Sequence, residues 1–304
     1  MRVLMTGATG FVGRSLVARL LRDGHEIVAW VRDAERARGQ LSPEVRVVQA
    51  GDTGDELVAA ASAADAAVNL AGENLFAHRW TASRKREIEE SRVDLTTRLV
   101  DALRAASPRP AVLVSASAIG FYGDRGDEEI DEDGPPGSDF LAALTRRWES
   151  AALRAEEAGL RVVVLRAGIV LGAGGGALGR LLPLFRRGLG GRIGSGRQWA
   201  SWIHLHDLAE VIAWALADAR AHGCFNATAP EPVTNRDLTR ALASAVGRSA
   251  PLPVPGPLMR IAFGEAATVL LASQRVVPRR LQSLGFRFAF PSLDAALRDI
   301  LTPP

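Results

Sequence analysis

A chain of 304 residues, 47% hydrophobic and 23% charged, carries enough apolar material for one large core plus a smaller lobe, and its composition excludes wholesale disorder. The formal net charge is only +3, and the 36 arginines among its 37 basic residues are interleaved with Asp and Glu, which argues against a nucleic-acid surface. One cysteine, Cys224, excludes an intramolecular disulfide, and five scattered histidines offer no metal-ligand spacing.

Gly7 and Gly10 interrupt the apolar start before a signal-peptide core could form, and no run long enough to span a bilayer follows. With the lone cysteine, this points to a cytoplasmic protein that keeps off membranes. Short apolar runs then alternate with amphipathic stretches, the pattern of a parallel sheet covered by helices. Strands are expected over 2–6, 26–32, 46–49, 66–70, 111–115 and 161–166, and helices from near Phe11, Gly54, Ala82 and Ser138. The segment 82–106 carries Ile88, Leu95, Leu99 and Leu103 at helical spacing.

Between the first strand and first helix lies Thr6-Gly7-Ala8-Thr9-Gly10-Phe11-Val12-Gly13. Its glycines suit a tight turn, a close approach by a diphosphate, and close helix-to-strand packing, while the helix start offers unpaired N–H groups. At the second strand's end no acid precedes Asp33, and Arg32 suits a ribose 2′-phosphate, so NADP(H) is favoured over NAD(H). Asp52, after the third strand, is a candidate for the adenine. Leu70, Ala71 and Gly72 end the fourth strand on the carboxyl edge, where open α/β sheets bind ligands.

Beyond Arg166 the rhythm changes to a glycine-rich passage over 172–176, helical runs over 178–185 and 207–217, and a helix over 234–246 capped by Thr234. His204 and His206 mark a strand end. Prolines at 251, 253, 255 and 257 open a distinct tail. The expected architecture is a Rossmann-type doubly wound parallel sheet (1–168 and 199–228) with a smaller C-terminal substrate lobe (169–198 and 229–304).

The glycine motif, Asn69-Leu70-Ala71-Gly72, Ser115-Ala116-Ser117, Tyr122-Gly123, Leu165-Arg166-Ala167-Gly168 and Trp202-Ile203-His204-Leu205-His206-Asp207 resemble, in order, the extended short-chain dehydrogenase/reductase superfamily that includes sugar-nucleotide epimerases. Ala71-Gly72-Glu73-Asn74, Arg79-Trp80-Thr81, Lys85, Ser91-Arg92, the run 115–123 and Gly194-Ser195-Gly196-Arg197-Gln198 are similar to the bacterial epimerase family protein group typified by YfcH, and the tail resembles that group's C-terminal domain of unknown function.

The superfamily's working pair is a tyrosine with a lysine four residues later. Here the only tyrosine is Tyr122 and the only lysine is Lys85; Gly126 stands four residues after Tyr122, and Leu141 and Thr145 occupy the matching helical positions. The resemblance leaves Ser117, Tyr122 and Glu73 as catalytic candidates. Tyr122 either passes a proton or packs beneath the ligand; Glu73 either acts as a raised-pKa acid or pairs with Arg79 or Lys85. Arg166, Arg197 and Arg92 suit a phosphate or carboxylate, and Arg166 also falls within reach of the cofactor.

The resemblance thus implies an NADP(H)-binding oxidoreductase or epimerase-like protein, without metal, acting on a small polar and possibly nucleotide-linked substrate. The alternative is a nucleotide-bound sensor or scaffold without turnover, with a link to cell division suggested only by the labels of similar proteins. A monomer or a homodimer paired through 82–106 would fit either.

Overall fold

The computed structural model describes residues 1–51, 54–250 and 252–302. Its first half alternates β1 (Arg2–Thr6), α1 (Phe11–Arg22), β2 (Glu26–Val31), β3 (Arg46–Gln49), α2 (Asp55–Ser62) and β4 (Ala66–Asn69). There follow α3 (Ala82–Glu89), α4 (Leu95–Ala105), β5 (Val112–Ala118), α5 (Phe140–Leu153) and β6 (Arg161–Ala167). Later come β7 (Ile169–Leu171), α6 (Gly176–Arg186), β8 (Trp202–His204), α7 (Leu205–Ala217), β9 (Gly223–Ala227), α8 (Asn235–Ala245) and α9 (Leu293–Leu301).

Seven parallel strands make the main sheet in the order β9-β6-β5-β4-β1-β2-β3. Val3, Leu4 and Met5 are fully buried because both faces of this sheet are covered, which explains the unbroken apolar runs. Val3, Met5, Val68, Val114 and Val163 pack on one side with Leu16 and Leu20 of α1 and Val211 and Ile212 of α7. Leu4, Ala67, Leu113 and Val162 pack on the other with Leu57 of α2, Leu99 and Leu103 of α4, and Ala152 of α5. Register along the sheet fixes this alternation, since a one-residue slip would exchange the two faces.

Two sequence expectations are corrected here. The six expected strands are joined by a seventh, β9, which completes the edge beyond β6. The expected continuous helix over 82–106 is divided by a widened π-type turn over Glu90–Asp94, although Ile88, Leu99 and Leu103 are buried as anticipated. Such turns rotate the side chains that follow, and this one carries Ser91 and Arg92.

A separate apolar cluster joins Leu171, Leu178, Phe185 and Trp202 to Leu238 and Leu242 of α8 and Leu293 and Leu297 of α9. Thr234 caps α8 by accepting from the Asp237 amide at 3.2 Å, as its sequence position predicts. Among the described residues no helix is long and apolar enough to cross a membrane.

Candidate functional site

The strand order reverses between β1 and β4, and their carboxyl ends part there into a crevice. Thr6 and Asn69 are in register at its floor; the Thr6 hydroxyl donates to Asn69 Oδ1 at 2.6 Å and accepts from the Ala71 amide at 3.2 Å. Asn69 Nδ2 in turn donates to Thr96 Oγ1 (2.7 Å) and Ser115 Oγ (3.2 Å), so β1, β4, β5 and α4 are tied at one buried amide.

Gly7 adopts φ +70°, and a Cβ on it would lie 2.6 Å from the Leu70 carbonyl carbon. On Gly13 a Cβ would come within 2.1 Å of the Gly7 carbonyl oxygen. The turn is therefore pressed between α1 on one side and the end of β4 on the other, with no room for side chains at Gly7 or Gly13. Thr9, Gly10, Phe11 and Val12 form its half-buried or exposed crest, and Gly10 caps α1 without a side-chain bond, leaving first-turn amides for a ligand. The Phe11 ring lies along the glycine-rich passage: a Cβ on Gly175 or Gly176 would meet it at 2.5 or 2.7 Å, and one on Gly172 at 3.0 Å.

Arg32 projects from the end of β2 with 85% of its side chain exposed and Nη1 3.2 Å from Glu73 Oε1. Asp33 is occupied, because its carboxylate caps the short helix Ala34–Arg38 by accepting from the Arg36 amide at 3.0 Å. Asp52 lies outside the described residues. Glu73 pairs with Arg32 and with Arg84 (3.5 Å), whereas Lys85 pairs with Glu265. The scaffold partners expected of Glu73 are thus corrected: the π-type turn rotates the chain so that Ser91 Oγ accepts from the Glu73 amide and Arg92 donates to the Glu73 carbonyl at 2.9 Å. Gly72 fits beneath Arg92, whose Cζ would lie 3.0 Å from a Cβ there. Burial pushes the Arg92 guanidinium down to about 10, which still leaves it charged at neutral pH.

Two of the site candidates, Arg166 of β6 and Tyr122 beside it, have their polar atoms bound to other residues of the chain. Arg166, expected to meet cofactor or substrate, is buried and bound in a fork to Glu149 of α5, with Nε–Oε1 and Nη2–Oε2 both 2.9 Å. Its Nη1 donates to the Tyr122 hydroxyl (2.9 Å) and the Glu132 carbonyl, and its guanidinium stacks 3.5 Å over the Phe121 ring. Burial works against its charge, but the Glu149 carboxylate more than restores it and holds the group above its ordinary range. Its donors face the protein rather than a ligand. Tyr122 is fully buried, donates to Asn226 Oδ1 at 2.7 Å, and is pushed up to about 12 by desolvation, despite the opposing Arg166 charge. The Tyr122 hydroxyl thus gives its proton to a buried amide and accepts one from Arg166. Tyr122→Phe is expected to cost about 1–3 kcal/mol of stability, the usual range for stranding buried partners, and to leave NADPH affinity within about twofold; urea denaturation and a fluorescence titration check both.

Ser117 keeps a position at the ligand edge. Its Oγ donates to Glu149 Oε1 at 2.6 Å, and it lines a cleft of about 420 Å³ between the carboxyl ends of β5 and β6, α6 and the segment 268–274. Leu141 and Thr145 of α5 also line that cleft, with Thr145 Oγ1 turned onto the Leu141 carbonyl at 2.8 Å. Arg92 lines it too; Arg197 is exposed on the outer side of its loop, and the neighbouring Gln198 faces the cleft instead. Glu149 is the functional residue that sequence reasoning missed. Its signal was the spacing Leu141–Thr145–Glu149, one helical face at i, i+4, i+8.

The chain matches the profile of the NAD dependent epimerase/dehydratase family over residues 3–227, and that of a domain of unknown function, DUF1731, over residues 254–300. The chloroplastic epimerase family protein SDR39U1 homolog of Arabidopsis thaliana is 41% identical over 306 residues, spanning 99% of this chain and 87% of that protein. The crystal structure of human epimerase family protein SDR39U1 (isoform 2) with NADPH superposes with a TM-score of 0.88 at 38% identity, covering 99% of both chains. That of a nucleoside-diphosphate sugar epimerase from Corynebacterium glutamicum superposes with a TM-score of 0.80 at 36% identity, over 99% of this chain and 58% of the other.

Proposed function

The chain belongs to the NAD dependent epimerase/dehydratase family, and from that premise we propose that it holds NADP(H) across the β1–β4 crevice and serves an oxidoreductase or epimerase-like reaction on a small substrate in the adjoining cleft. The observation that carries this reading is the glycine cradle, where a Cβ on either Gly7 or Gly13 would collide with backbone, so that only bare chain meets the diphosphate. The crystallisation of the human relative with NADPH supports the choice of cofactor.

A bound nicotinamide would supply the hydride chemistry; the chain's residues supply position and charge. First-turn amides of α1 face the diphosphate, and Leu70, Ala71 and Gly72 form the opposite wall. Arg32 is free to swing from Glu73 to a 2′-phosphate, since its side chain is mostly exposed. Ser117 takes a defined polarity. The Glu149 carboxylate, forked to Arg166, accepts from Ser117, so the Ser117 proton points to it and the Ser117 lone pairs are left for a substrate hydroxyl.

Saturable NADPH binding, followed by fluorescence, tests the reading; its absence would end it. Arg32→Ala is expected to weaken NADPH about tenfold or more while changing NADH little, as befits loss of a charge-assisted fork to phosphate. Equal losses for both dinucleotides would remove the 2′-phosphate role.

A second reading is favoured by one observation: Leu141 and Thr145 stand where the superfamily places its tyrosine and lysine, and Tyr122 is committed elsewhere. This is a nucleotide-bound sensor or scaffold without turnover. Tight NADPH binding with no oxidation across a broad panel of carbonyl compounds and sugar nucleotides would select it.

A further inference from the structure

The cleft beside Ser117 differs in character from the small polar site that the sequence led one to expect. Its volume of about 420 Å³ falls within the range of small-molecule sites. Leu141, Leu144 and Trp148 of α5, Leu178 and Leu181 of α6, and Val269 give it an apolar wall on three sides.

Five polar side chains of that wall direct a donor onto the protein. Ser117 Oγ donates to Glu149, and Thr145 Oγ1 donates to carbonyls of its own helix. Gln198 Nε2 holds the Ile193 carbonyl at 3.0 Å, and Gln274 Nε2 holds those of Ile119 (2.9 Å) and Gly123 (3.0 Å). Trp148 Nε1 donates to Thr96 at 2.9 Å.

The charge balance also speaks against a diphosphate. Among the described residues that line the cleft, Arg92 is the one cation and Asp139 the one anion. Both terminal nitrogens of Arg92 are directed at protein oxygens: Nη1 at the Ile88 carbonyl and Ser91 Oγ, Nη2 at the Glu73 carbonyl. Desolvating two phosphate charges against one such arginine, with a carboxylate in the same wall, would leave charge uncompensated, and that is costly.

We infer that the cleft takes a neutral, predominantly apolar secondary alcohol carrying no phosphate, whose hydroxyl donates to Ser117 Oγ at the polar end of the cleft while its hydrocarbon part lies against α5 and α6. The inference rests on the proposed nicotinamide site and narrows its substrate class.

The test is binding to the full-length chain saturated with NADP⁺, read by isothermal titration. One arm uses unbranched 2-alkanols from butanol to undecanol; the other uses UDP and UDP-glucose. Affinity for the alkanols is expected to rise about threefold to fourfold with each added methylene until the cleft is full, with no saturable UDP-glucose binding up to millimolar concentrations. Leu181→Asp, at a half-buried position of the cleft wall, is expected to reduce affinity for the longest alkanol at least about tenfold, as a charge set against hydrocarbon requires, with urea denaturation confirming that the variant is folded. Saturable binding of UDP or UDP-glucose, or alkanol affinity that does not grow with length, would overturn the inference while the cofactor site stood. Failure of NADP⁺ and NADPH to bind in the same samples would instead remove the cofactor reading on which it rests.

Discussion

Gly13→Ala is expected to raise the NADPH dissociation constant by about two orders of magnitude, the equivalent of roughly 3 kcal/mol. The added methyl would sit 2.1 Å from the Gly7 carbonyl oxygen and 2.8 Å from both Cα and O of Ala8, all of them backbone atoms that cannot rotate away. Relief requires α1 to move off the turn by about an ångström, since non-bonded carbon contacts need some 3.5 Å or more. The amides that meet the diphosphate move with it, and interactions that depend on aligned N–H groups weaken steeply. Gly24→Ala supplies the control. Gly24 also has positive φ, at +75°, but nothing lies within 4 Å of a Cβ there. It is expected to lose about 1 kcal/mol of stability through backbone strain alone and to leave NADPH affinity unchanged. Parallel fluorescence titrations and urea denaturation separate the two effects; equal NADPH affinities for Gly13→Ala and the unaltered chain would refute the cradle.

Glu149→Ala is expected to destabilise the protein by about 3–5 kcal/mol, the cost of leaving a buried charge without its partner. Glu149 and Arg166 have side chains only 6% exposed, joined by two bonds of 2.9 Å. Removing the carboxylate strands the guanidinium under β5 and also frees the Ser117 hydroxyl. Glu149→Gln, which keeps the shape and can still accept, should lose less. The comparison discriminates charge pairing from packing: similar losses for the two variants in urea denaturation would show that charge alone holds this region, and a Glu149→Gln variant as stable as the unaltered chain would show that shape and hydrogen bonding suffice. The neighbouring Cys224 thiol, pushed up to about 11 by burial and by the Glu149 charge, belongs to the same closed interior.

The strands of the sheet were legible because covering on both faces leaves apolar runs at β1, β4, β5 and β6 that admit few other readings. β9 escaped notice since Gly223-Cys224-Phe225-Asn226-Ala227 has little β-branched or aromatic character, and its place at the sheet edge comes from pairing with β6. The glycine turn was readable from spacing alone, as each glycine answers a local steric demand. Arg166 and Tyr122 were not. Their roles depend on Glu149 and Asn226, residues 17 and 104 positions away in the chain, and residue type does not record which of several arginines meets a buried acid. The π-type turn at Glu90–Asp94 likewise leaves no mark in the apolar periodicity, yet it carries the Ser91 and Arg92 side chains that hold the Glu73 backbone.

The ring of Phe11 nests against Gly172, Gly175 and Gly176, so the start of the first helix and the strap leading into α6 are fitted to each other like a peg and its socket. Redesigning either partner alone would meet the other's surface within a single bond length of displacement. Any effort to reshape the helix start must therefore re-cut the strap as well, and the two segments have to be altered as one piece.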